Sequence, residues 1–305
     1  MKTKQSIPKH LRYTMRDFDN AFPSDAACLE YIKEKRFPGG ITECKKCGVE
    51  RKHHRIGNRT AYGCDYCGTQ IFPLVGTIFE KSSTSLRTWF QAMYLMSSTR
   101  CGISAKQIQR ETGVTYKTAW RIFRQIRSLL SDGEDMKLEG PTVEIDEMYF
   151  GGVQKFNRGR MPSNKIPVVA IVQRHGKVIA KVVPTVNQQS INAIVKKHVV
   201  PGSVIYTDES GVYRRVGFLS DKSGKPYGFR HRTVQHKTEF VHGNIHTNSV
   251  EGLWSLIKRG IGGVYHSVSP KYLQTYLNEY TFRYNRRFEG NLQFKSVLER
   301  ACEQV

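Results

Sequence analysis

Acidic residues are scarce in this chain: 26 Asp and Glu stand against 48 Lys and Arg, leaving a formal net charge of +22. An excess of that size repels itself unless a polyanion is at hand, so nucleic acid is the leading partner class. A run of about 18 apolar residues, the minimum for crossing a bilayer, is also missing, which excludes a spanning helix and predicts no membrane partner. The opening MKTKQSIPKHLRYTMRDFDN lacks the apolar segment of a signal peptide, so the expected location is the cytoplasm. No internal repeat and no low-complexity tract occurs, which excludes a solenoid or a disordered tail as the main architecture. Cysteine is limited to seven residues, and Cys28, Cys101 and Cys302 show no partner pattern. The other four have metal-ligand spacing, which suits a reducing compartment better than a disulfide framework.

With 305 residues and 39% apolar content, the chain can bury a sizeable core and one or two small modules. Residues 1–40 carry a short amphipathic helix over 25–35, with Ser24 as its N-cap. Residues 41–75 read as short strands punctuated by Gly and Cys. Residues 82–130 read as helices, over 86–98, 105–112 and 116–130. A polar linker, 131–140, then gives way to a second large region over 141–305, the domain in which the chemistry is expected. There TVEIDEMYF, IPVVAIVQR and KVIAKVVPTV are β-branched runs separated by turns. A helix over 188–198, the strand SVIYTD and two helices near 248–260 and 269–287 follow. Three strands, a helix, a strand and more helices define a mixed α/β order with an antiparallel start.

Cys44-Lys-Lys-Cys47 and Cys64-Asp-Tyr-Cys67 are separated by 16 residues, and each pair is followed by a glycine, Gly48 or Gly68. Two residues between thiolates let both face one ion, and the glycine permits the tight turn beneath them. Four thiolates close a tetrahedral shell, which predicts structural Zn²⁺. His53 and His54 lie between the pairs but find the shell already full. The surrounding KKCGVERKHHR is basic, so this module is expected to touch DNA, although a zinc ribbon can equally dock protein.

Between 103 and 126, ISAKQIQRETGVTYKTAWRIFRQI has the punctuation of a helix-turn-helix. Ser104 caps the first helix, Gly113 supplies a positive φ in the turn, and Thr115 caps the second helix. Ala119, Ile122, Phe123 and Ile126 recur at three- and four-residue steps and form the buried stripe. Tyr116, Lys117, Arg121, Arg124 and Arg127 are expected on the exposed faces. Residues 101–130 hold six Lys or Arg and one acid, Glu111. A basic helix behind a tight turn suits the major groove, whereas an ordinary helical hairpin would carry the same charges as a solvated face.

Asp146 lies inside the apolar strand VEIDEMYF, where an acid is costly unless paired or bound to metal. Asp208 ends the apolar run SVIYTD in the same way. On the predicted helix NSVEGLWSLIKRG, Glu251 and Lys258 are seven residues apart and share a face. Three such carboxylates can hold a pair of divalent ions for in-line displacement at phosphorus. Glu251 is favoured over Asn248 as the third ligand because hard cations prefer ionised oxygen. Asn248 then orients the site, and Lys258 reaches a DNA phosphate near the cut. The acid-free segment 151–165, GGVQKFNRGRMPSNK, either contacts DNA phosphates beside this site or is a plain surface connection.

The C-terminal stretch HTNSVEGLWSLIKRGIGGVYHSVSPKYLQTYLNEYTFRYNRR resembles that of bacterial insertion-sequence transposases of the ISXO-like group. VEIDEMYFGG and VIYTDES resemble that group's first two acidic motifs, and the cysteine module, GISAKQIQRETGVTYKTAWRIF and RDFDNAFPSDAACLEYIKEKRFPGG also match. One departure is Glu209 after Asp208, where a small residue is expected. The resemblance implies a ribonuclease H-like catalytic domain with a DDE-type triad, Asp146, Asp208 and Glu251, using Mg²⁺ or Mn²⁺. It implies cleavage at terminal inverted repeats of double-stranded DNA, strand transfer into a target, and a homo-oligomer in the synaptic complex. It also implies a prokaryotic, nucleoid-associated enzyme. The alternatives are a catalytically silent DNA-binding regulator descended from such an enzyme, and a nuclease that cuts without rejoining.

Overall fold

A computed structural model of the chain describes residues 8, 12–99, 101–151, 165–234, 246–290 and 292–303. It divides into two units, Met1–Leu130 with Arg286–Val305, and Ser131–Asn285. The expected linker begins where the second unit begins. Among the described residues no helix is long and apolar enough to cross a membrane.

The first unit holds helices α1 (Met15–Ala21), α2 (Asp25–Arg36), α3 (Leu86–Ser98), α4 (Ala105–Thr112), α5 (Tyr116–Ser128) and α9 (Leu292–Cys302). It also holds an antiparallel sheet of β1 (Ile41–Glu43), β2 (Glu50–Arg55), β3 (Tyr62–Cys64) and β4 (Gln70–Ile71). Ser24 caps α2 as expected, its hydroxyl accepting from the Ala27 amide. The helices meet around an aromatic cluster in which Phe294 of α9 lies 5.5 to 6.2 Å from the rings of Tyr13, Phe18, Phe22 and Tyr94. The catalytic region read as 141–305 therefore ends earlier in this structure. Residues 286–305 leave the sheet unit because Phe294 and its neighbours complete this aromatic core.

The second unit is a five-stranded sheet in the order β7 (Val178–Val182), β6 (Ile166–Gln173), β5 (Thr142–Phe150), β8 (Val204–Thr207), β9 (Arg230–Thr233). β5, β6 and β7 run antiparallel, while β8 and β9 continue the sheet in parallel with β5. Alternation along the central strands divides the core in two. Val143, Ile145 and Ile171 pack with Ile191 and Val195 of α6 (Gln188–His198) on one face. Met148, Val168, Ala170 and Val172 pack with Val250, Leu253, Trp254 and Ile257 of α7 (Asn248–Gly260) on the other. Leu277 and Tyr280 of α8 (Leu273–Asn285) join that second layer.

Candidate active site and metal centre

The cysteine module folds as its spacing predicts. Gly48 and Gly68 have φ of 67° and 70°, and their amides donate back to the Cys44 and Cys64 carbonyls at 2.8 and 3.1 Å. These turns bring the sulfurs of Cys44, Cys47, Cys64 and Cys67 within 4.8 Å of one another. Thr69 Oγ1 lies 3.1 Å from Cys67 Sγ and pulls that thiol's pKa down, while the Cys67 sulfur pushes the neighbouring Cys47 thiol up. Four thiolates this close need a dication among them, so the donor set fits zinc. His53 is buried on β2 with Nδ1 3.0 Å from the Arg51 carbonyl, outside the sulfur cluster.

The α4–α5 pair also follows its signals. Ser104 and Thr115 accept from the amides of Gln107 and Thr118, and Gly113 has φ 70°. Tyr116, Lys117, Arg121 and Arg124 are exposed. Arg121 is partly engaged, donating to Thr84 Oγ1 at 2.8 Å and to Ser82 Oγ at 3.3 Å. Arg127 corrects the expectation of exposure: it is 2% exposed, with its guanidinium 3.6 Å from the centroid of the Phe123 ring. One helical turn separates these two residues, so the flat cation stacks on the ring and is desolvated beneath it.

In the second unit, Asp146 lies on the face of β5 that meets α7. β5 and β8 are parallel, with Glu144 beside Tyr206. Asp146 follows two residues after Glu144 on β5, and Asp208 two residues after Tyr206, just past the end of β8, where its charge acts on Asp146. Asp208 begins the loop after β8, where its Oδ1 accepts from the Ser210 amide at 3.0 Å. Trp254 Nε1 of α7 donates to Asp146 Oδ2 at 2.9 Å. Glu251 stands one turn earlier on α7, exposed, with Thr247 Oγ1 3.4 Å from its Oε1.

Asp146 and Glu251 open onto a cleft of about 470 Å³ lined also by Glu147, Met148, Trp254, Ser255, Lys258 and Arg259, whereas Asp208 is not a lining residue. Burial raises the pKa of Asp146, and the charges of Asp208 and Glu251 raise it further against the opposing Trp254 hydrogen bond. The three acids thus share one electrostatic environment. Among the described residues their oxygens do not all converge within 4.8 Å as the four sulfurs do. Like charges disfavour such crowding. Carboxylate oxygens beside a Lys and an Arg are a donor set suited to a hard divalent cation and a phosphate. Lys258 lines the cleft as its seven-residue spacing predicts, whereas Asn248 is exposed at the first turn of α7 and is not a lining residue.

Two acids escaped sequence reasoning. Glu147 lines the cleft and accepts a hydrogen bond from Tyr213, with burial raising the pKa of both groups. Glu144 is fully buried two residues before Asp146. A buried acid in an apolar strand was the available signal, but its partners lie far along the chain. The basic segment 152–164 lies outside the described residues.

The mixed sheet thus carries one acid within β5 and one just past the end of the parallel strand β8, with a third acid on the packed helix α7. Residues 137–285 match the ISXO2-like transposase domain and residues 23–70 the transposase zinc-ribbon domain, and the chain belongs to this transposase family. It is 28% identical over 304 residues to an uncharacterised protein of transposable element ISH50 from Halobacterium salinarum, covering 92% of this chain and 98% of that one. An uncharacterised transposase-like protein of Haemophilus influenzae is 27% identical over 122 residues, covering 40% of this chain and 88% of its own. A Mos1 transposase in a pre-cleavage transpososome aligns over 71% of this chain and 78% of its own, with 11% identity. Its TM-score of 0.26 is too low to carry an argument.

Proposed function

We propose that the protein is an insertion-sequence transposase that binds the terminal inverted repeats of its element and catalyses metal-dependent cleavage and strand transfer. The observation that carries this reading is that Asp146 of β5, bound to Trp254 of α7, shares one cleft with Glu251, while Asp208 follows the end of the neighbouring parallel strand β8. The antiparallel β7-β6-β5 ladder continued by parallel β8 and β9 supports a ribonuclease H-like catalytic domain. Asp146, Asp208 and Glu251 would hold Mg²⁺ or Mn²⁺. When bound there, a divalent ion would supply activation of the attacking oxygen and stabilisation of the leaving one. Lys258 and Arg259 attract the phosphate next to the scissile bond, and Trp254 fixes the rotamer of Asp146 by holding Oδ2. Asn248, in the first turn of α7, helps to orient the site. The site lies on a protein of net charge +22, so the same polyanion is held through several phosphates.

In the first unit, the ribbon with Zn²⁺ on Cys44, Cys47, Cys64 and Cys67 and the α4–α5 helix-turn-helix contact the element's ends. Tyr116, Lys117, Arg121 and Arg124 face the DNA. A homo-oligomer acts on the paired ends, and an enzyme working on prokaryotic DNA acts at the nucleoid, in the cytoplasm.

The test uses labelled element ends and a supercoiled target with Mg²⁺. Glu251→Gln is expected to abolish cleavage and joining while end binding persists, and Asn248→Ala to cause a smaller loss. Normal cleavage by Glu251→Gln with a dead Asn248→Ala would exchange their roles. Cut ends that are never joined by the wild-type protein would identify a nuclease, and binding with no cleavage a silent regulator.

A further inference from the structure

Glu144 has no place in the chemistry described so far, yet it is the most heavily engaged acid of the catalytic unit. Its side chain is 0% exposed, near the start of β5 and on the face that meets α7. An ionised carboxylate buried there would cost several kcal/mol without compensation. Compensation comes from four hydrogen bonds. Arg174 Nε donates to Oε1 at 2.6 Å, Ser249 Oγ to Oε1 at 3.0 Å, the Ser249 amide to Oε2 at 2.7 Å, and the Val250 amide to Oε2 at 3.1 Å.

The two amide donors identify what the residue does. Ser249 and Val250 are the second and third residues of α7, whose amides have no acceptor within the helix. The residue in the N-cap position, Thr247, makes no capping hydrogen bond with its side chain. Glu144 supplies that acceptor from a strand about a hundred residues away and adds a full negative charge at the positive end of the helix. Arg174 holds the carboxylate from its other side, donates to the His246 carbonyl at 2.8 Å and stacks 4.4 Å from the Tyr206 ring centroid.

The consequence is geometric. β5 touches α7 through two hydrogen-bonding acids on one face, Glu144 at Ser249–Val250 and Asp146 at Trp254. Glu251 lies between these anchors. We infer that Glu144, backed by Arg174, is a positioning residue that fixes the start of α7 against β5 and so sets the distance from Glu251 to Asp146 and Asp208. Glu144 does not itself touch metal or DNA. The inference rests on the transposase reading of the three acids. Its weight follows from tolerance, since a metal or reactive constellation has to be held to roughly 0.5 Å.

The experiment compares Glu144→Gln and Ser249→Ala with wild type in the full-length protein. Two readouts are used: the Mg²⁺ concentration giving half-maximal end cleavage, and the Trp254 indole N–H resonance of the metal-free protein, assigned with Trp254→Phe. Loss of groups that orient metal ligands typically weakens metal use by about 10- to 100-fold. Glu144→Gln is therefore expected to raise the Mg²⁺ midpoint at least about tenfold. It should also displace the Trp254 resonance, leave those of Trp89 and Trp120 in place, and retain end binding. Ser249→Ala removes one hydroxyl donor and keeps both amides, so it should shift both readouts the same way by a smaller amount. If Glu144→Gln does not fold, Ser249→Ala and Arg174→Lys carry the test. A purely structural role would lower the melting temperature but leave the Mg²⁺ midpoint within twofold of wild type and the resonance unmoved, and that result overturns the inference. Glu251→Gln separates the two failures. If it cleaves normally, the reading of the triad is wrong; if it is dead while the Glu144 and Ser249 variants match wild type, only the positioning role is wrong.

Discussion

Gly260→Ala is the substitution whose effect the packing of α7 fixes most sharply. Gly260 is the last residue of α7, with φ −69° and ψ −46°, so its backbone is ordinary helix and accepts alanine without strain. On an exposed helix the change would stabilise by about 1 kcal/mol, the difference in helix propensity. Here the new methyl would overlap the Tyr280 hydroxyl and lie 2.6 Å from Cε1. Tyr280 is 0% exposed on α8, inside the layer formed with α7 and β6, so the ring cannot swing into solvent. Forcing a methylene into such a core costs about 1–3 kcal/mol, and an overlap this deep belongs at the upper end. The net loss should be about 2 kcal/mol. A unit of this size loses roughly 2–4 °C of melting temperature per kcal/mol, so the shift should be about 4–8 °C downward. Scanning calorimetry of the full chain, with the Trp254 resonance as a reporter confined to this unit, measures it. The control is the same change in a Tyr280→Leu background, where the obstruction is gone and alanine should become neutral or stabilising. A rise in melting temperature on Gly260→Ala in the wild-type background would refute the close approach of α7 and α8.

Metal analysis should find one zinc per chain, lost on Cys64→Ser together with affinity for the element's ends; zinc retained after both cysteine pairs are removed would overturn that centre. Lys117→Ala and Arg124→Ala should each weaken end binding and reduce the salt slope by about one, while Arg121→Ala does less because its guanidinium already serves Thr84 and Ser82. An unchanged salt slope in both of the first two variants would remove α5 from the DNA interface.

What the sequence reveals depends on how far each signal's causes are spread along the chain. Caps and turns are local, so Ser24, Ser104, Gly113 and Thr115 occupy their expected places. The cysteine pairs are equally local, because a two-residue spacing and a following glycine suffice to form each turn. Asp146 and Asp208 stand out in the sequence because the first interrupts an apolar strand and the second follows directly on one. Arg127 was misread because periodicity places it near the polar boundary, and only the Phe123 ring shows that the cation is stacked and covered. β9 was missed because Arg-His-Arg-Thr has no apolar alternation; it forms through parallel pairing with β8, which no local pattern encodes. α9 was given to the wrong unit for the same reason, since its ring contacts are with residues near the other end of the chain.

The three acids of the proposed site are therefore held by interactions of different kinds. Asp146 and Asp208 are carried by neighbouring parallel strands: Val143 pairs with Ile205 and Glu144 with Tyr206, and each acid follows two residues after that last pair. A slip of one residue would turn the apolar partners of both strands away from their cores, so this spacing is protected by the whole sheet. Glu251 has no such guarantee. Helix α7 packs through Val250, Leu253, Trp254 and Ile257, an apolar stripe that would tolerate sliding or rolling by a fraction of a turn. Directional bonds remove that freedom, and the structure has them at both ends of the stretch that matters, on Glu144 at Ser249 and Val250 and on Asp146 at Trp254. An acid carried on a helix gains reach across the cleft but depends on polar anchors for its precision, which is why a buried carboxylate is kept at position 144 where an apolar residue would pack at lower cost.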